Sequence, residues 1–116
     1  MPPQQQRHII VHQPAHWDTV IKGMEAVITH PRGTAHRLSR NTPYRIAGKT
    51  GTAQVFSVAE DEVYDAQSVA AHLRDHSLFV AFAPTESPQI ALSVVVENNK
   101  GATDIAKVVL DAYLRP

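Results

Sequence analysis

The residues best suited to chemistry in this 116-residue chain sit side by side: Gly48-Lys49-Thr50-Gly51-Thr52, within the run from Tyr44 to Val55. One lysine among hydroxyls and glycines is a set for holding an anion, and two anions compete for it. A nucleotide phosphate needs a glycine five positions before Gly-Lys-Thr and a helix directly after it. Pro43 stands where that glycine belongs, and Gly51-Thr52-Ala53-Gln54-Val55 continues as strand, so the phosphate reading fails. A carboxylate suits the residues better. On a strand, Lys49 and Gly51 point to one side and Thr50 and Thr52 to the other. Lys49 then supplies a positive field, and the two threonines supply hydroxyl donors. The strand's main chain can pair with an extended peptide laid along its edge. The Thr52 backbone N–H can form half of an oxyanion hole.

These residues need a sheet to display them and helices to back it. From Tyr44 to Phe56 the composition favours a strand through Ile46, Thr50, Thr52, Val55 and Phe56. The interior glycines Gly48 and Gly51 mark a close approach by a ligand or a neighbouring backbone. Upstream, Val20, Ile21, Met24, Val27 and Ile28 form a helical stripe between Trp17 and His30, which Pro31 ends. Trp17 reads as an anchor of that helix. Residues 1–16 carry three prolines and read as an irregular lead-in, with a short extended piece at His8–Val11. Residues 31–43 are rich in turn formers and read as a loop. Beyond the strand, 57–65 is an acidic loop, and a short helix runs through Val69, Ala70 and Leu73. Leu78–Ala83 and Ile90–Glu97 are two more strands, joined by a hairpin turn. Thr103–Leu114 closes the chain as a helix with Ile105, Val108, Val109, Ala112 and Tyr113 on one face. The fold class is α+β: a small antiparallel sheet of about three strands covered by helices.

Composition narrows the function classes. The length allows one domain, since domains run to roughly 100–200 residues. The chain is 43% hydrophobic and 19% charged, which excludes a disordered tract. Its longest apolar run, Leu78–Ala83, is far short of the roughly 20 residues that span a bilayer. The start, Met-Pro-Pro-Gln-Gln-Gln, has neither the basic nor the apolar part of a secretory signal. With no cysteine there is no disulfide, thiolate metal site or cysteine nucleophile. Eleven basic residues balance eleven acidic ones, which argues against nucleic acid as a partner. Residues 1–50 nevertheless hold seven basic and two acidic side chains, and 51–116 hold four and nine.

Other candidates have plainer explanations. His8, His12 and His16 recur every four residues, as do His72 and His76, but no third ligand falls at a metal-site spacing. They read as exposed histidines, so no metal and no cofactor is expected. Glu60-Asp61-Glu62 lacks the glycine turn and the closing glutamate of a calcium loop. Asn98–Gly101 reads as the turn before the last helix.

Four segments together resemble a known family. Gly48-Lys49-Thr50-Gly51-Thr52-Ala53-Gln54-Val55 is similar to the third active-site motif of the class B penicillin-binding proteins, serine acyltransferases of the cell wall. Gly23–Val27 with Gly33-Thr34-Ala35 resembles the helix and loop that precede that motif. Arg74–Pro84 and Val94–Asn98 resemble the two strands that follow it. The likeness covers roughly residues 10–115 and leans to the transpeptidases of rod elongation. It implies a partial penicillin-binding transpeptidase (β-lactamase-like) fold and a peptidoglycan D,D-transpeptidase activity. It assigns Lys49 and Thr52 to catalysis, Lys49 through electrostatics and proton transfer and Thr52 through its amide in the oxyanion hole. It assigns Thr50 and Thr52 to the carboxylate of a stem peptide or β-lactam, and Gly51 to leaving room for the ligand. It implies elongation-machinery partners and a parent protein at the periplasmic face of the inner membrane.

One part of the family pattern is missing. The family's nucleophile lies in Ser-x-x-Lys, and none of the six serines here has lysine three positions on. Ser39-Arg40-Asn41 matches the family's Ser-x-Asn, but its serine lies only nine positions before Gly48, whereas the family places it far upstream. The resemblance therefore implies that 1–116 is the C-terminal portion of a single transpeptidase domain, inactive without its N-terminal half. Two other readings stand beside it: a non-catalytic interaction module on the same fold, and a fragment related to serine β-lactamases.

Overall fold

A computed structural model gives the fold, and the residues it describes are Gln4, 7–55 and 74–115. The expected acidic loop at 57–65 and the expected short helix through Leu73 lie outside them. The described elements run helix α1 (Pro14–Thr29), a 3₁₀ turn (His36–Ser39), strands β1 (Ala47–Ala53), β2 (His76–Ala83) and β3 (Ile90–Val96), and helix α2 (Ala102–Leu114). The strands form one antiparallel sheet in the order β1-β2-β3. This is the α+β arrangement expected from the sequence.

α1 starts three residues before Trp17, inside the stretch read as irregular, with Pro14 in its first turn. Proline fits there because the first N–H groups of a helix have no intrahelical partner and its fixed φ suits the helix. Only the second half of α1 packs. Ile28 is buried, while Val20 and Trp17 are half exposed, so Trp17 is not the buried anchor the sequence suggests.

The sheet alternates as a pleated strand must. Phe79, Ala81 and Ala83 of β2 are buried under the helices, and Ile90, Leu92, Val94 and Val96 of β3 pack against the same cluster. Both helices contribute to that cluster, through Ile28 of α1 and Ala102, Ala106 and Leu110 of α2, so they share one face of the sheet. The other face carries Val80 and Val95, each about half exposed.

The last helix departs from expectation. The stripe Ile105, Val108, Val109, Ala112 and Tyr113 does lie on one face, but that face is turned outward. The seam that meets the sheet is Ala102, Thr103, Ala106 and Leu110. Small side chains let the helix axis approach the strands, and the bulkier stripe faces away. α2 begins at Gly101, whose φ of 116° is left-handed and favours glycine. Its first turn is held by Arg37, which donates to Thr103 Oγ1 and pairs with Asp104 at 3.2 Å.

Candidate functional site

β1, an edge strand among the described residues, places the sequence-selected residues beside the C-terminal end of α1. The register pairs Gly48 with Ala81, Lys49 with Val80, Thr50 with Phe79, Gly51 with Leu78 and Thr52 with Ser77. Directly paired residues of an antiparallel ladder point to the same side. Thr50 and Thr52 therefore share the helix-covered face, and Lys49 and Gly51 the opposite one.

The two glycines have different reasons. A Cβ on Gly48 would lie 2.7 Å from the Phe79 ring and 2.9 Å from the Val80 carbonyl oxygen, so the chain's own packing demands glycine there. A Cβ on Gly51 would stand 3.5 Å from Leu78, an ordinary contact. Among the described residues the packing does not require glycine there.

Lys49 is exposed, and its Nζ donates to the Thr50 carbonyl oxygen at 2.8 Å. An ammonium has three protons, so two remain for an incoming anion. Thr52 is exposed at the far end of the motif. Thr50 Oγ1 lies 2.8 Å from Thr34 Oγ1, across sixteen residues of sequence. A shallow groove lies where these elements meet, lined by Gly23, Val27, His30, Gly33, Thr34 and Lys49.

Thr34 is the neighbour that sequence reasoning passed over. It was visible only as part of Gly33-Thr34-Ala35, a turn whose threonine shows no partner until the loop folds back. The fold-back leaves no room for a side chain at Gly33, where a Cβ would come within 2.3 Å of the Val27 carbonyl oxygen. Ser39 and Asn41 do not join the site; they line a separate surface depression with Thr42, Pro43 and Arg115. His76 is tied to the turn before α2, its Nδ1 accepting from the Asn98 N–H at 2.8 Å. Among the described residues no three acidic or histidine side chains gather as a metal site requires.

A second polar cluster anchors the chain entering β1. Tyr44 donates to Asp111 Oδ1 at 2.5 Å, Lys107 reaches both Asp111 oxygens at 2.6 Å, and Arg115 pairs with Asp111 at 3.1 Å. Burial, then the Asp111 carboxylate, pushes the Tyr44 phenol well above its ordinary range. Burial works to raise the Asp111 carboxyl, but hydrogen bonds from Lys107 and Tyr44 and the charges of Lys107 and Arg115 hold it below its ordinary value.

The sequence pattern of the penicillin binding protein transpeptidase domain matches residues 2–114, nearly the whole chain. The chain belongs to the penicillin-binding protein transpeptidase family. Among its relatives, the peptidoglycan D,D-transpeptidase MrdA of Escherichia coli K12 is 46% identical over 83 residues, covering 72% of this chain and 13% of that protein. The Haemophilus influenzae MrdA is 38% identical over 104 residues, covering 86% of this chain and 16% of that protein. In structure, the chain is similar to Pseudomonas aeruginosa PBP2, solved in complex with WCK 5153, at a TM-score of 0.75 and 40% identity. That match covers all of this chain and 23% of that one. Helicobacter pylori PBP2, solved in complex with MreC, gives a TM-score of 0.66 and 28% identity over 87% of this chain and 17% of that one. The likeness is to the class B, PBP2-like members, and the chain corresponds to part of their transpeptidase domain. It spans less than a fifth of the length of the MrdA relatives it matches.

Proposed function

We propose that this chain is the C-terminal portion of a peptidoglycan D,D-transpeptidase domain, and that β1 is its carboxylate-gripping edge. The observation that carries the reading is the display of Lys49, Thr50, Gly51 and Thr52 along one exposed edge strand, beside an open groove. A stem peptide or β-lactam lies along that edge with its main chain paired to the strand. Thr50 and Thr52 hydroxyls donate to its carboxylate, and Lys49 supplies the positive field. Gly51, with no side chain of its own, leaves room along the edge for the acylating ligand. The Thr52 N–H donates to the developing oxyanion, where a fixed donor is worth about 100-fold or more in rate.

The nucleophile comes from another segment. A serine acts only with a base in hydrogen-bond reach, and this sequence has no Ser-x-x-Lys. The chain alone therefore neither transfers peptides nor acylates with penicillin. Two surfaces support a role inside a larger domain: the outward apolar stripe of α2, and the sheet face that carries Val80 and Val95. Both expose large apolar side chains of the kind a further layer covers. By family the parent enzyme stands at the periplasmic face of the inner membrane and works with elongation-machinery proteins. Among the described residues no helix is long and apolar enough to cross a membrane.

The test is a chimera in which this chain replaces the matching segment of Escherichia coli MrdA, labelled with a fluorescent penicillin. The reading expects covalent labelling of the chimera and none of the 116-residue chain. Labelling of the isolated chain, or a folded chimera that does not label, contradicts it; the second result favours the interaction module.

A further inference from the structure

We infer that Thr34 is a positioning residue for the carboxylate site: its hydroxyl donates to Thr50 Oγ1 and thereby directs the Thr50 proton toward the ligand. The inference rests on the proposed function and adds a residue to its site.

The contact links two rigid pieces. Thr50 is fixed by its ladder with Phe79 in β2. Thr34 is fixed from both sides by main-chain bonds to the end of α1: Gly33 N–H donates to the His30 oxygen at 2.8 Å, and Ala35 N–H to the Val27 oxygen at 3.1 Å. Ala35 is fully buried, and the close approach of Gly33 to the carbonyls of Ala26 and Val27 leaves the turn no slack. The 2.8 Å between the two hydroxyl oxygens is therefore set by the backbone on each side.

The direction of that hydrogen bond follows from what each group can donate. A hydroxyl has one proton and two lone pairs, whereas an ionised carboxylate only accepts. If Thr50 donated to Thr34, it would have no proton for a carboxylate. Once a carboxylate is bound, the chain must run from the Thr34 hydroxyl to Thr50 Oγ1, and from the Thr50 hydroxyl to the ligand. Hydrogen bonds in series polarise one another, so the first strengthens the second. Lys49, donating to the carbonyl of the same Thr50, brings its positive charge to that point.

The experiment uses the penicillin-labelling chimera, whose own labelling tests the proposed function separately. Acylation rates are measured with benzylpenicillin and with its methyl ester, which lacks the charged acceptor. Thr34→Val keeps the shape and removes the donor. It should slow acylation by benzylpenicillin about fivefold, the worth of one hydroxyl hydrogen bond, and leave the ester rate unchanged. Thr34→Ser should restore the benzylpenicillin rate. In a Thr50→Val background, Thr34→Val should have no further effect. Equal slowing of both ligands, failure of Thr34→Ser to restore the rate, or multiplying effects of the two valine variants would overturn the inference.

Discussion

At the residue scale, the site divides into groups that meet the ligand and groups that hold those groups in place. Lys49 belongs to the first set, and Lys49→Ala in the chimera should lower the acylation rate by about 10- to 100-fold, the range of a lost charge-assisted hydrogen bond. Stopped-flow acylation with the fold checked by circular dichroism reads this out; a loss under twofold would remove Lys49 from the site. Gly33 belongs to the second set. Gly33→Ala drives a methyl into the carbonyls of Ala26 and Val27, and should cost about 1–3 kcal/mol of stability, measured by urea unfolding. The motif on β1 was legible because its five residues are contiguous and their types speak for themselves. Thr34 was not, because its role depends on a partner sixteen residues away and a side-chain contact that no local pattern encodes.

At the element scale, α2 shows what periodicity leaves out. The pattern of Ile105, Val108, Val109, Ala112 and Tyr113 marks an apolar face, but it does not say which neighbour that face meets. In the folded chain the sheet takes the smaller seam instead, with Leu110 fully buried. Leu110→Ala should therefore destabilise the chain by about 2–5 kcal/mol, and Val108→Ala, at a 69% exposed position, by far less. Thermal unfolding of the two variants checks the order. The same helix carries Asp111, whose carboxyl is held below its ordinary value by Lys107, Tyr44 and Arg115. A group whose folded value is depressed adds stability above its unfolded value, and that stability is lost as pH falls through the folded one. Acid unfolding should thus steepen below about pH 4, and Asp111→Asn should flatten that limb. Tyr44 has the opposite sign. Its raised value adds stability that is complete below the ordinary phenol value of 10.0 and lost as pH climbs past it.

At the scale of the whole molecule, the described residues expose more apolar surface than their own layers cover. α2 has apolar residues on two faces, and such a helix normally lies between two layers. Among the described residues the sheet likewise has helices on one face only, and β1 and β3 each present an edge. The α+β class and the order of the elements were readable from strand and helix patterns. What covers the outward faces was not, because nothing in a stripe of apolar residues says whether its cover lies in the same chain. That surplus fits a segment whose sequence pattern is a transpeptidase domain and whose length is a small fraction of its relatives'.

Where a ligand's negative end comes to rest decides the role of β1, and a crystal structure of the penicillin-acylated chimera measures that directly. The carboxylate is expected within hydrogen-bond distance of the Thr50 and Thr52 hydroxyls, with the Lys49 ammonium beside it. A carboxylate turned to solvent, or held by side chains outside β1, would contradict it.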